Sequence, residues 1–151
     1  MRPMNRRALL TVPLVAGLLL LGGCGDDITF PPEFDDSLGI ELAAMTKTAS
    51  GLYYQDLVVG TGPVAKSGDY VTVAYTLWLP DARMLDSGTY PFTLGRGEAI
   101  PGFDEGIRGM SVGGKRKLVV HPDLAYGKTG QGGIGPNQTL VFQVELKKIG
   151  S

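Results

Sequence analysis

Tyr75, Tyr90, Phe92, Phe103, Tyr126 and Phe142, with Ile100 and Ile134, are spread over stretches that read as strands, a helix start and a loop. Spacing of this kind does not build one amphipathic face; it lets residues distant in the chain converge on one concave apolar pocket. The chemistry open to such a pocket is recognition and desolvation rather than bond making. The usual reactive constellations are absent from the sequence: there is no GxSxG, no Walker loop and no HExxH. Gly95-Arg96-Gly97 lacks the third glycine and the acidic residue of a dinucleotide fingerprint. The single histidine, His121, stands at a strand end with no metal-ligand motif around it and reads as structural. Neither a metal nor a cofactor is expected.

The elements that must position these residues are organised around residues 90–110. Phe92 and Leu94 alternate with polar neighbours as a half-buried strand does, and the glycines at 95, 97 and 102 bracket a short connection. Phe103, Ile107 and Met110 then fall at i, i+4 and i+7, predicting a helix over 103–110 with Asp104 and Glu105 in its favoured acidic first turn. Gly106 and Gly109 are poor helix formers, so a sheet is expected to approach this helix closely. Ile100 precedes Pro101, which pushes it towards extended backbone and leaves its N–H able to point outward.

Strands are expected over 52–59, 70–79, 84–87, 115–121 and 139–149. In the second, Val71, Val73, Tyr75 and Leu77 share one face; in the last, Leu140, Phe142, Val144 and Leu146 do. Residues 87–89 read as a polar loop, Gly113-Gly114 as the helix stop and 122–136 as a long loop. Turn spacing makes the strands antiparallel, and one face has a helix to cover it, an α+β arrangement.

The chain has 151 residues, enough for one domain with a substantial core after a leading segment. Arg2, Arg6 and Arg7 precede an apolar run over 8–21, shorter than the roughly 18 to 20 residues of a spanning helix, so 1–23 reads as an export signal. Leu21-Gly22-Gly23-Cys24 resembles the bacterial lipobox, which makes Cys24 the expected lipidation site. It is the only cysteine, so an internal disulfide and thiol chemistry are excluded for the exported domain. Residues 24–50 carry Asp26, Asp27, Glu33, Asp35, Asp36 and Glu41 unopposed until Lys47, with Pro31-Pro32 among them, and read as an acidic flexible tether. The domain is expected over 51–151. From residue 47 onward 11 Lys and Arg face 9 Asp and Glu, a near-neutral balance that does not suggest nucleic acid.

Asp86-Ser87, Gly95-x-Gly97-Glu98-Ala99-Ile100-Pro101-Gly102-Phe103, Met110-Ser111-Val112-Gly113-Gly114, Pro122-x-Leu124-Ala125-Tyr126-Gly127 and Thr139-Leu140-Val141-Phe142-x-Val144-Glu145-Leu146 occur in this order. Together they resemble the FKBP-type peptidyl-prolyl cis/trans isomerases over essentially all of 51–149. The resemblance implies an FKBP-like curled antiparallel sheet of five to six strands packed on one short α-helix, with a prolyl pocket between them. It implies that Tyr75, Asp86, Ile100, Tyr126 and Phe142 carry catalysis, the Tyr126 hydroxyl and the Ile100 N–H bonding the carbonyls that flank the proline. Leu85, Tyr90, Phe92, Ala99, Phe103 and Ile134 are the implied substrate contacts. Leu85 stands where the family usually has an aromatic residue, Phe103 where tryptophan is commoner, and Gly135 where a second bulky aliphatic is frequent. The family's basic partner for the aspartate has no counterpart near 87–89, so Asp86 is expected to pair with Tyr75.

The function so implied is isomerisation of prolyl bonds in exported proteins, without cofactor or covalent intermediate. The expected partners are proline-containing segments of those proteins and a membrane, reached through the lipid anchor; the protein is expected as a monomer in the cell envelope, facing the periplasm or exterior. The alternative is a non-catalytic proline-peptide-binding module or holdase chaperone.

Overall fold

Alternating apolar and polar residues, punctuated by glycine- and proline-containing turns, draw the described residues into six strands. They are β1 (Thr46–Lys47), β2 (Tyr53–Val58), β3 (Tyr70–Trp78), β4 (Met84–Thr93), β5 (Lys115–Val120) and β6 (Leu140–Ile149). The computed structural model describes residues 33–151; the expected export signal, Cys24 and the first part of the expected tether lie outside them. All pairings are antiparallel, in the order β1-β2-β5-β6-β3-β4. One helix, α1 (Pro101–Ile107), packs on the inner face, mainly against β5. The expected α+β fold is therefore the observed one.

The core lies between α1 and the inner face. Val71, Val73 and Leu77 of β3, Leu118 and Val120 of β5, and Leu140, Phe142, Val144 and Leu146 of β6 bury there with Phe103, Ile107 and Met110. Gly106 shows how close the layers are: a Cβ at that position would lie 2.6 Å from both Leu118 methyl carbons. Both helix ends are tied down. The buried Asp104 carboxylate takes the Gly95 N–H at 2.7 Å and the Arg108 guanidinium, and Arg116 of β5 donates to the Gly106 carbonyl at 2.9 Å. Arg116 also pairs with Asp56 at 2.7 Å and lies over the Tyr54 ring, which satisfies a cation that would otherwise be costly to bury.

Three local expectations need correction. The helix ends at Ile107 rather than Met110, because Arg108 is already extended and Gly109 takes φ +81°, ending the helix before Gly113-Gly114 is reached. Residues 87–89 are not a loop: Ser87, Gly88 and Thr89 pair with Thr76, Tyr75 and Ala74 inside a continuous β4. Its Pro91 is tolerated because β4 is an edge strand. The described part of the tether, residues 33–50, lies against the domain instead of away from it. β1 pairs with Tyr53 and Tyr54, the stretches Asp36–Leu38 and Leu42–Ala44 form single 3₁₀ turns, and Leu38 and Met45 are buried.

Candidate active site

The register of three strands sets one wall of a cleft. Asp86 of β4 lies opposite Leu77 of β3, and Leu77 lies opposite Phe142 of β6, so these residues form one row across the inner face. The first turn of α1 supplies the floor. Phe103 meets Phe142 edge-on at 5.1 Å and Tyr75 at 6.0 Å with the rings nearly perpendicular, an arrangement that aromatic quadrupoles favour. The resulting space is about 450 Å³.

The helix start is arranged by its sequence. Ile100 takes φ −59° and ψ 147°, as its position before proline demands, and Pro101 opens the helix where a missing N–H costs nothing. The Ile100 carbonyl accepts the N–H groups of Phe103 and Asp104 at 3.1 and 3.0 Å, while its own N–H takes no partner among the described residues. The connection before it is clamped twice. The Tyr90 hydroxyl donates to the Glu98 carbonyl at 2.6 Å, and the Glu98 carboxylate accepts the Thr93 N–H at 2.9 Å.

Asp86 owes its direction to a β-bulge. Leu77 pairs with Asp86 but Trp78 pairs with Met84, leaving Leu85 as the extra residue. In a regular strand neighbours face opposite ways; here Leu85 packs towards the core while Asp86 still lines the cleft. The Asp86 carboxylate takes the Ser87 N–H at 2.8 Å and the Tyr75 hydroxyl at 2.6 Å, the pairing expected in the absence of a basic partner. That hydrogen bond, with burial adding to it, pushes the Tyr75 phenol up to about 12. Tyr126, on the far rim, has a hydroxyl with no hydrogen-bond partner among the described residues.

Of the residues singled out from sequence, Tyr75, Asp86, Tyr90, Ala99, Ile100, Phe103, Tyr126 and Phe142 line the cleft. Leu85 and Ile134 pack on the core beside it without lining it. Phe92 is fully buried beneath, stacked under Tyr90 at 5.2 Å and tilted against Phe103 at 5.8 Å. Leu77, Gly97, Glu98 and Gln131 also line it and were not singled out. Leu77 was within reach, since it shares the Tyr75 face two residues on. Gln131 was not: it is placed by paired backbone bonds to Ile134, at 2.9 and 3.0 Å, inside a glycine-rich loop with no periodicity to read. His121 stands outside the cleft, its Nδ1 accepting the Asp123 N–H at 3.3 Å.

Comparison with known proteins agrees with this geometry. The family described as FKBP-type peptidyl-prolyl cis-trans isomerase matches residues 62–147. An FK506-binding protein of Neisseria meningitidis serogroup B is 45% identical over 105 residues, covering 66% of this chain and 96% of that one. FK506-binding protein 4 of Dictyostelium discoideum is 48% identical over 101 residues, 64% of this chain, but the chain spans only 28% of that relative's length. The crystal structure of FkpA from Escherichia coli superposes with a TM-score of 0.67 at 39% identity, over 76% of this chain and 55% of the other. With its ordered motifs, its six-stranded sheet over one helix and its aromatic cleft, the chain belongs to the FKBP-type peptidyl-prolyl cis-trans isomerase family.

Proposed function

We propose that this cleft catalyses cis/trans rotation about X-Pro bonds in segments of exported proteins. The observation that carries the reading is an aromatic cavity bearing two hydrogen-bond donors without partners among the described residues, the Ile100 N–H and the Tyr126 hydroxyl. Rotation about the prolyl amide is opposed by roughly 18 to 20 kcal/mol of resonance, although the two ground states differ by only about 0.5 to 1 kcal/mol, so the task is purely kinetic. A twisted amide has lost resonance and carries less charge on its oxygen. A water-poor wall of Phe103, Phe142 and Tyr75 therefore favours it over the planar form. The two free donors hold the flanking carbonyls, and the Asp86–Tyr75 pair keeps the wall in register. A millionfold acceleration requires about 8 kcal/mol of such differential binding.

A protease-coupled proline-peptide assay on the purified chain tests this. Peptides with Leu or Phe before proline should turn over faster than those with Glu, since the cleft sets the Asp86 and Glu98 carboxylates beside its aromatic and aliphatic walls and a third carboxylate would be repelled there. Binding without acceleration would instead identify a non-catalytic peptide-binding module.

The same proposal places the protein in the cell envelope, lipidated at Cys24 and working as a monomer on the periplasmic or exterior side. Its support is the basic start, the short apolar run and Leu21-Gly22-Gly23-Cys24. Cys24→Ser should move the protein from the membrane fraction to the soluble or unprocessed-precursor fraction and leave the purified domain's activity untouched. Unchanged membrane partition of a correctly cleaved variant would contradict the anchor.

A further inference from the structure

Directly behind the cleft wall runs a second row of residues. Met84, Trp78 and Val141 are register partners one step along from Asp86, Leu77 and Phe142, so they face the outer side of the same three strands. Val141 is nonetheless fully buried, as is Val119 beside it on β5. The N-terminal segment covers Val141. Leu38, itself 6% exposed, encloses a cavity of about 170 Å³ with Trp78, Ala82 and Val141, and the Lys117 ammonium reaches across to the Leu38 carbonyl. A second tie lies at the hairpin end, where the Asp35 N–H donates to the Pro80 carbonyl at 2.8 Å. Pro80 begins the turn that leads into Met84, Leu85 and Asp86, the bulge that aims the carboxylate.

We propose that residues 35–38 are a positioning strap for the isomerase site: by gripping the β3–β4 turn and the outer row they fix the bulge, and through it the Asp86–Tyr75 pair. The strap lies outside residues 62–147, the stretch the family description covers. Residues 35–38 do not line the cleft, so they act on it through the strands. The inference rests on the reading of Asp86 and Tyr75 as site residues.

Asp35 has φ −59°, which proline can adopt, so Asp35→Pro deletes the N–H without bending the chain, and Asp35→Ala controls for loss of the carboxylate. With both variants folded by circular dichroism, Asp35→Pro should lower kcat/KM about three- to tenfold, the size of one hydrogen bond read as a rate. The Tyr75 titration should move from about 12 towards the ordinary tyrosine value as the Asp86 bond loosens. Asp35→Ala keeps the N–H but loses the cap that accepts the Ser37 N–H, so its effect on both should be smaller than that of Asp35→Pro. Leu38→Ala should act like Asp35→Pro, and Leu38→Met should restore the parent values. If Asp35→Pro and Leu38→Ala lower the melting temperature yet leave kcat/KM and the Tyr75 titration unchanged, the strap only stabilises and the proposal fails. An Asp86→Asn variant with full activity would instead sink the site reading, and the Tyr75 titration alone would then decide whether the strap positions that pair.

Discussion

The inner and outer faces of this sheet are built from adjacent residues, yet they differ in what covers them and in what they do. Phe142 points inward, half core and half cleft wall; its neighbour Val141 points outward and is buried by residues that precede the domain. The inner face is closed by a helix fixed at both ends by Asp104 and Arg116, whereas the outer face is closed by a strap held at Asp35, Leu38 and β1. The same hydrophobic driving force acts on both sides. Among the described residues the outer space is about 170 Å³ and is enclosed by Leu38, whereas the inner one is about 450 Å³ and is lined by Ile100 and Tyr126, whose N–H and hydroxyl take no partner there, and that difference separates a catalytic face from a structural one.

The sharpest way to break this contrast is to truncate one residue on each face. Phe142→Ala removes a side chain that is 5% exposed and opens the cleft wall to water, so it should destabilise by about 3–5 kcal/mol. It should also lower kcat/KM by about 100-fold, equivalent to roughly 2.7 kcal/mol of lost transition-state contact. Val119→Ala on the outer face should cost about 2 kcal/mol in chemical denaturation and leave kcat/KM within about twofold. Equal activity losses from the two would show that the faces are not functionally distinct.

The two faces were also unequally legible in the sequence. The inner one announces itself through period-two alternation in β3 and β6 and through the helical stripe of Phe103, Ile107 and Met110, and ordered motifs then identify the cleft. The outer one carries a fainter signal: Leu118-Val119-Val120 and Leu140-Val141-Phe142 are unbroken apolar runs, which a sheet with one wet face would not need. Those runs implied a cover, but nothing in an acidic, proline-interrupted stretch says that it will supply one through Leu38 and Met45. The bulge at Leu85 was illegible for a different reason. It is fixed by how β3 pairs with β4 across the Pro80 turn, a long-range register that local propensity does not encode.

A smaller effect separates the polar from the apolar parts of the inner face. Tyr126→Phe deletes a hydroxyl that has no partner among the described residues, so stability should hold while kcat/KM falls about two- to tenfold, one net hydrogen bond to substrate. Asp86→Ala should lie between this and Phe142→Ala, because it removes an orienting group and the Tyr75 bond without opening the aromatic wall. A Tyr126→Phe loss as large as that of Phe142→Ala would shift the weight of catalysis from desolvation to hydrogen bonding.

The smallest expected effect is that of pH on the rate. Prolyl rotation in this cleft transfers no proton, and His121, the one histidine, stands outside it. The profile of kcat/KM should therefore be nearly flat from about pH 6 to 8.5, where a general base would impose a step or a bell. His121→Ala should leave it unchanged. The titration that does belong to the site comes later. The folded protein keeps the Tyr75 proton up to about 12, whereas an unfolded chain releases it at the ordinary value of 10.0. The folded state thus binds this proton more tightly, so the stability it contributes is fully present below pH 10.0 and is lost as pH rises through about 12. Denaturant midpoints should decline across that window, and in Asp86→Asn the part due to Tyr75 should shrink, because the largest cause of the shift has gone. A step in kcat/KM near neutral pH, abolished by His121→Ala, would overturn the apolar-cleft mechanism and return the search to a proton-transfer site outside the inner face.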